Sequence, residues 1–274
     1  MPELPEVETM VRGIRPVLLG RTILTASLSH IDVLRGVTRP RLLAALTGAR
    51  VQSVFRRAKH AVLDLGTHRF VLQPGMSGNL LYYRRPLTEA EQKYAVLRTV
   101  LDDGTHFIFR DVRRIGTLLL LNPKQWETYD RALGPEPLDP VLTPAAFMTG
   151  LRNSRQAIKK VLMDQRKIVG VGNIYANEAL FAAGIDPSRP AYRVPPERYE
   201  RLYHETRRIL QSAIDAEGTT FRDYRTGTGQ PGNFQLEHMV YARQGEPCRQ
   251  CGTRLAGTHE IDGRITVFCW RCQG

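Results

Sequence analysis

No stretch of this chain approaches the ~18 consecutive apolar residues of a membrane span, and its first residues lack the basic-then-apolar order of a secretory leader. A spanning or exported protein is therefore not expected; a cytoplasmic one is. Cysteine is absent until Cys248, so no disulfide framework can hold most of the chain together. No internal repeat is visible, and no repeat architecture is expected. Negative charge is scarce as well: 27 Asp and Glu stand against 39 Lys and Arg, a net charge of +12. That imbalance points to a polyanionic partner, nucleic acid first and an anionic membrane surface second.

At 274 residues the chain can hold two domains with real cores, and 42% hydrophobic residues fit a folded protein rather than a disordered one. The four cysteines are spaced Cys248-x2-Cys251-x17-Cys269-x2-Cys272. Two short pairs on tight turns, joined by a hairpin, can close a tetrahedral thiolate site of the zinc-ribbon kind. Two disulfides are the other reading, and the lack of any export signal counts against it. Four thiolates leave no open coordination position, so one Zn2+ held there is expected to be structural and not catalytic.

The opening string is Met1-Pro2-Glu3-Leu4-Pro5-Glu6-Val7-Glu8-Thr9. Removal of Met1, usual before a small residue, leaves Pro2 with a free secondary amine. An α-amino group titrates near ~7.7–8.0, so an appreciable share is neutral and nucleophilic around neutrality. Such an amine attacks an electrophilic carbon and forms an iminium, an electron sink that divides one hard step into two easier ones. Glu3 beside it can give or take a proton. The plainer reading is a common second residue followed by a helix start, with Pro5 at a first helical position and Glu6 and Glu8 in the first turn.

Val7, Met10, Val11, Ile14, Val17 and Leu18 recur at helical spacing, with Gly20 placed to end the helix. Pro16 is expected to kink that helix or stop it early. Eight short strand-like runs follow, at 22–28, 51–55, 61–65, 69–72, 80–83, 95–101, 106–110 and 116–121, with a helix at 39–46 between the first two. So many short strands in one half predict a β-sandwich. The proline-rich run 133–140 reads as a stiff linker. Thr143-Pro144 then reads as an N-cap with proline at the first helical position. Helical periodicity continues to about residue 217. Within it Ala157, Ile158, Val161 and Leu162 give one apolar face, with Lys159 and Lys160 directed elsewhere. The expected architecture is α+β: an N-terminal β-sandwich catalytic domain with its helix (1–133), a linker (134–142), a helical domain (143–236) and a zinc-ribbon hairpin (237–274).

Several segments between these elements stand out. Arg56-Arg57-Ala58-Lys59-His60 is a basic turn. In Pro74-Gly75-Met76-Ser77-Gly78 the methionine tips an exposed turn, which suits a wedge pushed into a base stack. Arg110-Asp111-Val112-Arg113-Arg114-Ile115-Gly116 offers Arg113, on the plain reading one of several phosphate-contacting arginines. Gly170-Val171-Gly172-Asn173 makes a tight turn in which Asn173 caps the next helix, and its backbone N–H groups form an anion site beside Arg166 and Lys167. Simple helix capping is the alternative there. The segment 217–234 is too polar and glycine-rich for a packed element, and on a plain reading only links to the cysteine module.

The strings PELPEVET at 2–9 and GVGNIYANEALF at 170–181, together with the cysteine module, resemble the formamidopyrimidine-DNA glycosylase family, and matching segments run from residue 2 to residue 273. The resemblance implies a helix–two-turn–helix element in the helical domain. It implies Pro2 as Schiff-base nucleophile and Glu3 as the acid, with Glu6 close to the chemistry in an unassigned role. Lys59 and Arg264 would reach phosphates at the lesion and assist elimination. Met76 would fill the gap left by an extruded base, and Arg113 would pair with the orphaned base opposite. Ile115 would act as a wedge where the family usually carries phenylalanine, and Tyr94 stands where a histidine is expected. Arg155, Lys159 and Asn173 would join Tyr94 on the DNA backbone. Thr219, Thr220, Phe221, Arg222, Asp223 and Tyr224 would belong to a loop that folds over the flipped base.

The resulting expectation is a bifunctional DNA glycosylase and AP lyase of base excision repair. It would remove oxidised purines, 8-oxoguanine and formamidopyrimidines, from duplex DNA and cut the strand by β,δ-elimination. Its partner would be double-stranded DNA carrying oxidised bases or abasic sites, and its cofactor one zinc ion. It would be a monomer in the cytoplasm, at the nucleoid. Three rivals differ in chemistry. An endonuclease VIII-like enzyme would prefer oxidised pyrimidines, and the leader string and the long Gly/Thr-rich loop count against it. A tautomerase could use an N-terminal proline, but has no use for a zinc ribbon or a charge of +12. A purely structural zinc-dependent DNA binder would need neither the free amine nor Glu3.

Overall fold

Helix α1 (Leu4–Leu18) carries the N-terminus on a face of buried side chains. Leu4, Val7, Met10, Val11, Ile14 and Leu18 are all 0% exposed. Each such burial is worth about 1.5–3 kcal/mol, so Pro2 and Glu3 lead into a helix that cannot fray cheaply. Pro16 does not stop this helix. A proline there removes one backbone hydrogen bond and crowds the Arg12 carbonyl, yet the helix continues to Leu18, after which Leu19 is extended and Gly20 takes a left-handed φ of 77°.

The computed structural model describes residues 2–218 and 234–274, and these form two compact units, 2–131 with 216–218 and 132–215 with 234–274. In the first unit the chain passes through β1 (Ile23–Leu28), α2 (Arg39–Leu46), β2 (Ser53–Arg57), β3 (His60–Asp64), β4 (Arg69–Gln73), β5 (Gly78–Tyr83), α3 (Glu89–Gln92), β6 (Ala95–Leu101), β7 (His106–Asp111), β8 (Thr117–Leu121) and α4 (Pro123–Arg131). Two antiparallel sheets result, ordered β1-β6-β7-β5 and β2-β3-β4-β8. Phe70, Leu72 and Leu118 of one sheet share a single buried cluster with Leu97, Phe107 and Phe109 of the other. This is the sandwich that the eight apolar runs predict. Helix α1 packs on β2 and β3 of one sheet and on β5 of the other. Arg15 fixes its far end by donating to the Val54 carbonyl at 2.8 Å.

The sequence signal for helix α4 is confined to its start, where Asn122 Oδ1 accepts the Gln125 N–H and Gln125 Oε1 the Asn122 N–H, both at 2.9 Å, around Pro123. None of its residues is buried, so it offers no apolar period to read. It is held instead by Trp126, edge-on to Phe55 with ring centroids 5.9 Å apart, and by the Arg57–Asp130 ion pair.

The second unit contains α5 (Pro144–Arg152), α6 (Ile158–Leu162), α7 (Asn173–Ala183), α8 (Pro196–Asp215) and the antiparallel hairpin β9 (Ala256–Thr258) with β10 (Thr266–Phe268). Thr143 caps α5 as its sequence predicts, accepting the Ala146 N–H at 3.2 Å. Asn173 departs from its expected role. Gly172 is the N-cap of α7 and Asn173 the first helical residue, because the Asn173 side chain is turned to a different partner. The segment entering the cysteine module is fastened to α7 by one carboxylate. Glu178 accepts the N–H groups of Met239, Val240 and Tyr241 at 2.9, 3.0 and 2.7 Å.

Candidate active site and nucleic-acid interface

Pro2 and Glu3 are both buried at the mouth of α1, with Glu3 only 2% exposed. Glu3 is the N-cap, and its backbone N–H donates to Glu6 Oε2 at 2.8 Å. Glu6, itself buried, thus holds the backbone of the residue next to Pro2. The position that sequence leaves without a role closes the cap of the helix that begins beside Pro2.

Lys59 sits in the two-residue turn between β2 and β3, where Arg57 pairs with His60. Ala58 takes φ 54° there, a left-handed conformation that a residue with a Cβ adopts at a cost. The turn is braced from both sides. Arg56 donates to Glu8 of α1 at 3.1 Å and to the Ala58 carbonyl at 2.9 Å, and Arg57 pairs with Asp130 of α4. These arginines are therefore ties, not the solvated charges that a basic surface turn suggests. The third brace is His60. Its Nδ1 lies 3.1 Å from the Arg57 carbonyl and its Nε2 3.2 Å from the Tyr129 hydroxyl. A neutral ring satisfies both, with Nδ1–H donating to the carbonyl and Nε2 accepting from the hydroxyl.

Burial depresses the His60 pKa to about 4, and the neighbouring charges of Lys59 and Arg57 push the same way, against the hydrogen bond to the Arg57 carbonyl. A histidine that must stay neutral when folded contributes stability that is complete above its unfolded pKa of ~6.5 and is lost as pH falls towards about 4. Urea unfolding followed through Trp126, in a Trp270→Phe background, is expected to show this loss, up to about 3 kcal/mol across the window. His60→Gln should lessen it, leaving the share due to His238, whose pKa burial also lowers to about 4.

Two more turns meet at the ends of β5 and β7. Gly78 pairs with Asp111, and the buried Asp111 carboxylate accepts the Ser77 hydroxyl at 2.5 Å and the Gly116 N–H at 2.8 Å. Ser77 Oγ in turn accepts the Arg113 N–H at 3.0 Å. Gly75, at φ 64°, packs so closely that a Cβ would stand 2.7 Å from the Gly116 nitrogen. This polar hub sets Met76 (42% exposed) and Ile115 (44% exposed) on adjoining turns with the exposed Arg113. Two apolar tips beside a cation suit a gap in a base stack. Nothing in the sequence marks Ser77 or Asp111, which organise the pair. Tyr94 is half-buried, with the cationic groups of Lys93 and Arg110 5.3 and 5.2 Å from its ring centroid.

In the second unit Arg155 is exposed and lines an open cleft with Arg152 and Arg193. Lys159 does not point away from the apolar face as its spacing predicts. It is 0% exposed, and its ammonium donates to Thr266 Oγ1 at 2.8 Å and to Asp262 Oδ1 at 3.1 Å. Asn173 Nδ2 donates to the Ile265 carbonyl at 3.0 Å. Both side chains therefore grip the hairpin that carries the exposed Arg264. Thr219 to Tyr224 lie outside the described residues.

The four cysteines converge at the other end of that hairpin. Their Sγ atoms all lie within 4.8 Å of one another, and all four are free thiols. A tetrahedron with metal–sulfur bonds of ~2.3 Å has S···S edges of about 3.8 Å, so the set can hold one metal ion with small adjustments. Gln273 braces it, accepting the Cys269 N–H at 2.9 Å and donating to the Ile185 carbonyl at 2.9 Å. Among the described residues no helix is long and apolar enough to cross a membrane.

Known proteins resemble this chain along its whole length. A model of the formamidopyrimidine-DNA glycosylase N-terminal domain matches residues 1–118, and one of the formamidopyrimidine-DNA glycosylase H2TH domain matches residues 133–225. The formamidopyrimidine-DNA glycosylase of Acidithiobacillus ferrooxidans is 41% identical over 273 residues, covering 100% of both chains. That of Pseudomonas putida is 42% identical over 278 residues, again covering both completely. The crystal structure of MutM (Fpg) from Thermus thermophilus superposes with a TM-score of 0.86 at 37% identity, covering 100% of this chain and 99% of that one. Lactococcus lactis Fpg in complex with DNA containing an abasic site gives 0.89 at 29% identity, with 99% of each chain covered.

Proposed function

This chain belongs to the formamidopyrimidine-DNA glycosylase family, and from that premise we propose that Pro2, freed of Met1, is the nucleophile of its reaction and Glu3 the acid. The protein is a base-excision-repair DNA glycosylase with AP lyase activity, acting on duplex DNA that carries oxidised purines or abasic sites.

The observation that carries the assignment is the joint burial of Pro2 and Glu3 at an anchored helix start, with Glu6 holding the intervening backbone. Basic side chains dock the duplex through its phosphates, so affinity falls with salt. The damaged nucleotide leaves the stack, as chemistry at the sugar requires, and Met76, Ile115 and Arg113 take up the space. The neutral Pro2 nitrogen attacks C1′ while Glu3 protonates the ring oxygen, and the damaged base departs with its electron pair. The resulting iminium acidifies C2′. Loss of that proton expels the 3′ phosphate, and a second elimination expels the 5′ phosphate. Lys59, in its braced turn, and Arg264, on the hairpin, are assigned to the flanking phosphates and help these groups leave. The four thiolates fit Zn2+, which would hold the hairpin's fold and supply no reacting group. The site of action is the cytoplasm, at the nucleoid.

Borohydride treatment during reaction with an 8-oxoguanine duplex tests the nucleophile. The native chain should give a covalent adduct. A chain extended at its N-terminus, in which the Pro2 nitrogen is an amide, should bind the same duplex and give none; an undiminished adduct would remove Pro2 from the mechanism.

A further inference from the structure

Lys159 is a charged side chain with no exposed surface, lying beside the apolar face of a short helix. Its counter-charge, Asp262, is 103 residues away in sequence and 6% exposed at its side chain. Such pairs rarely add stability beyond what apolar side chains of the same volume would give, and fixing one register is their best-attested use. Here the register is that of a turn. Asp262 Oδ1 accepts the Lys159 ammonium at 3.1 Å and also the Arg264 N–H at 3.1 Å, with Gly263 between them at φ 76°. On the other side of Arg264, Asn173 holds the Ile265 carbonyl, Lys159 holds Thr266, and Asn177 Oδ1 accepts the Val267 N–H at 2.7 Å. Arg264 is thus the exposed side chain in a short run whose neighbours are pinned from α6 and α7.

We propose that Lys159 is a positioning residue that acts through Asp262 to aim Arg264, rather than a ligand of DNA phosphate. Two effects follow from the same contact. The ammonium fixes the Asp262–Gly263–Arg264 turn. It also neutralises a carboxylate two residues from Arg264 that would otherwise compete with phosphate for the guanidinium. The proposal rests on the role given to Arg264 above, so its test needs one reading that is independent of that role.

The test uses the metal-loaded full chain, with metal content confirmed for each variant, and compares Lys159→Met, Asp262→Asn, the double variant and Arg264→Ala. The first reading is the ratio of β,δ- to β-elimination products in a single turnover on an abasic-site duplex. The second is the rate of tryptic cleavage at the Arg264–Ile265 bond without DNA. Misplacing a reacting group by about 1 Å costs roughly 10- to 100-fold. A fall of that order in the product ratio is expected for Lys159→Met, a smaller one for Asp262→Asn, and no further fall in the double variant. Tryptic cleavage should quicken in both single variants. Lys159→Arg should restore much of each reading.

Unchanged tryptic rates in both single variants would overturn the clamp whatever Arg264 does. So would a Lys159→Met chain with a normal product ratio whose salt slope for binding falls by about 0.9, the signature of one lost phosphate contact. Faster cleavage in Lys159→Met, with an Arg264→Ala chain whose product ratio is normal, would keep the clamp and discard the role of Arg264. Should Lys159→Met fail to fold, Asp262→Asn gives both readings alone.

Discussion

Glu3→Gln is expected to slow release of 8-oxoguanine by roughly 10²- to 10⁴-fold, the usual worth of a positioned general acid, while a duplex that already contains an abasic site is still cut within about tenfold of the native rate. The two steps separate because they ask different things of this carboxyl group. Base release needs a proton on the ring oxygen as C1′ is attacked. An abasic sugar already exposes an aldehyde, and the Pro2 amine can form its iminium without that proton. Glutamine suits the experiment because it keeps the shape of a side chain that is only 2% exposed and leaves the Glu3 N–H to Glu6 contact intact. Single-turnover assays on the two duplexes give the comparison. Equal losses on both would mean that Glu3 acts by holding Pro2 in place and not as an acid.

Cys269→Ser should have the other large effect, and at a distance from the chemistry. Cys269 is 0% exposed and belongs to a small apolar cluster with Phe181, Val240, Cys248, Leu255 and Val267. Modules below about 40 residues seldom fold on apolar burial alone, and a structural zinc site supplies about 10–16 kcal/mol of folding free energy. Loss of one of four thiolates is expected to lower metal affinity by more than ~100-fold, beyond what changes in the groups behind the ligands cost. The β9–β10 hairpin, and Arg264 with it, should then lose its fixed place. The native chain is expected to take up one metal ion and the variant close to none, and binding to lesion duplex should weaken with that loss. A Cys269→Ser chain that binds DNA normally without metal would show that the hairpin folds by itself.

Local signals in the sequence reach the elements whose cause is local. The 3.6-residue apolar period gives α1, short apolar runs bounded by turns give the eight strands, and cysteine spacing gives a set that can hold a metal ion. Helix α4 shows only its capped start, Asn122 with Gln125, because it buries none of its own residues and is fixed from outside by Phe55 and Arg57. The same is true of the polar hubs. Asp111 looks like any turn aspartate until β5 and β7 are paired, and only then do its two oxygens meet Ser77 and Gly116. Lys159 reads as a solvent-side residue of its helix because its partner lies 103 residues further on. His60 reads as part of a basic turn, yet burial lowers its pKa and keeps it neutral, with the Tyr129 hydroxyl of α4 3.2 Å from its Nε2. Apolar side chains declare their burial through periodicity. Single polar side chains do not, since each needs one particular distant partner.

The most direct measurement is the location of the covalent bond between protein and sugar. Chain trapped by borohydride on an 8-oxoguanine duplex can be digested and mapped by mass spectrometry. The deoxyribose remnant should be found on the nitrogen of Pro2, in a peptide that begins with that residue. A remnant on Lys59 or another lysine, or a trapped peptide that still begins with Met1, would contradict the assignment of Pro2.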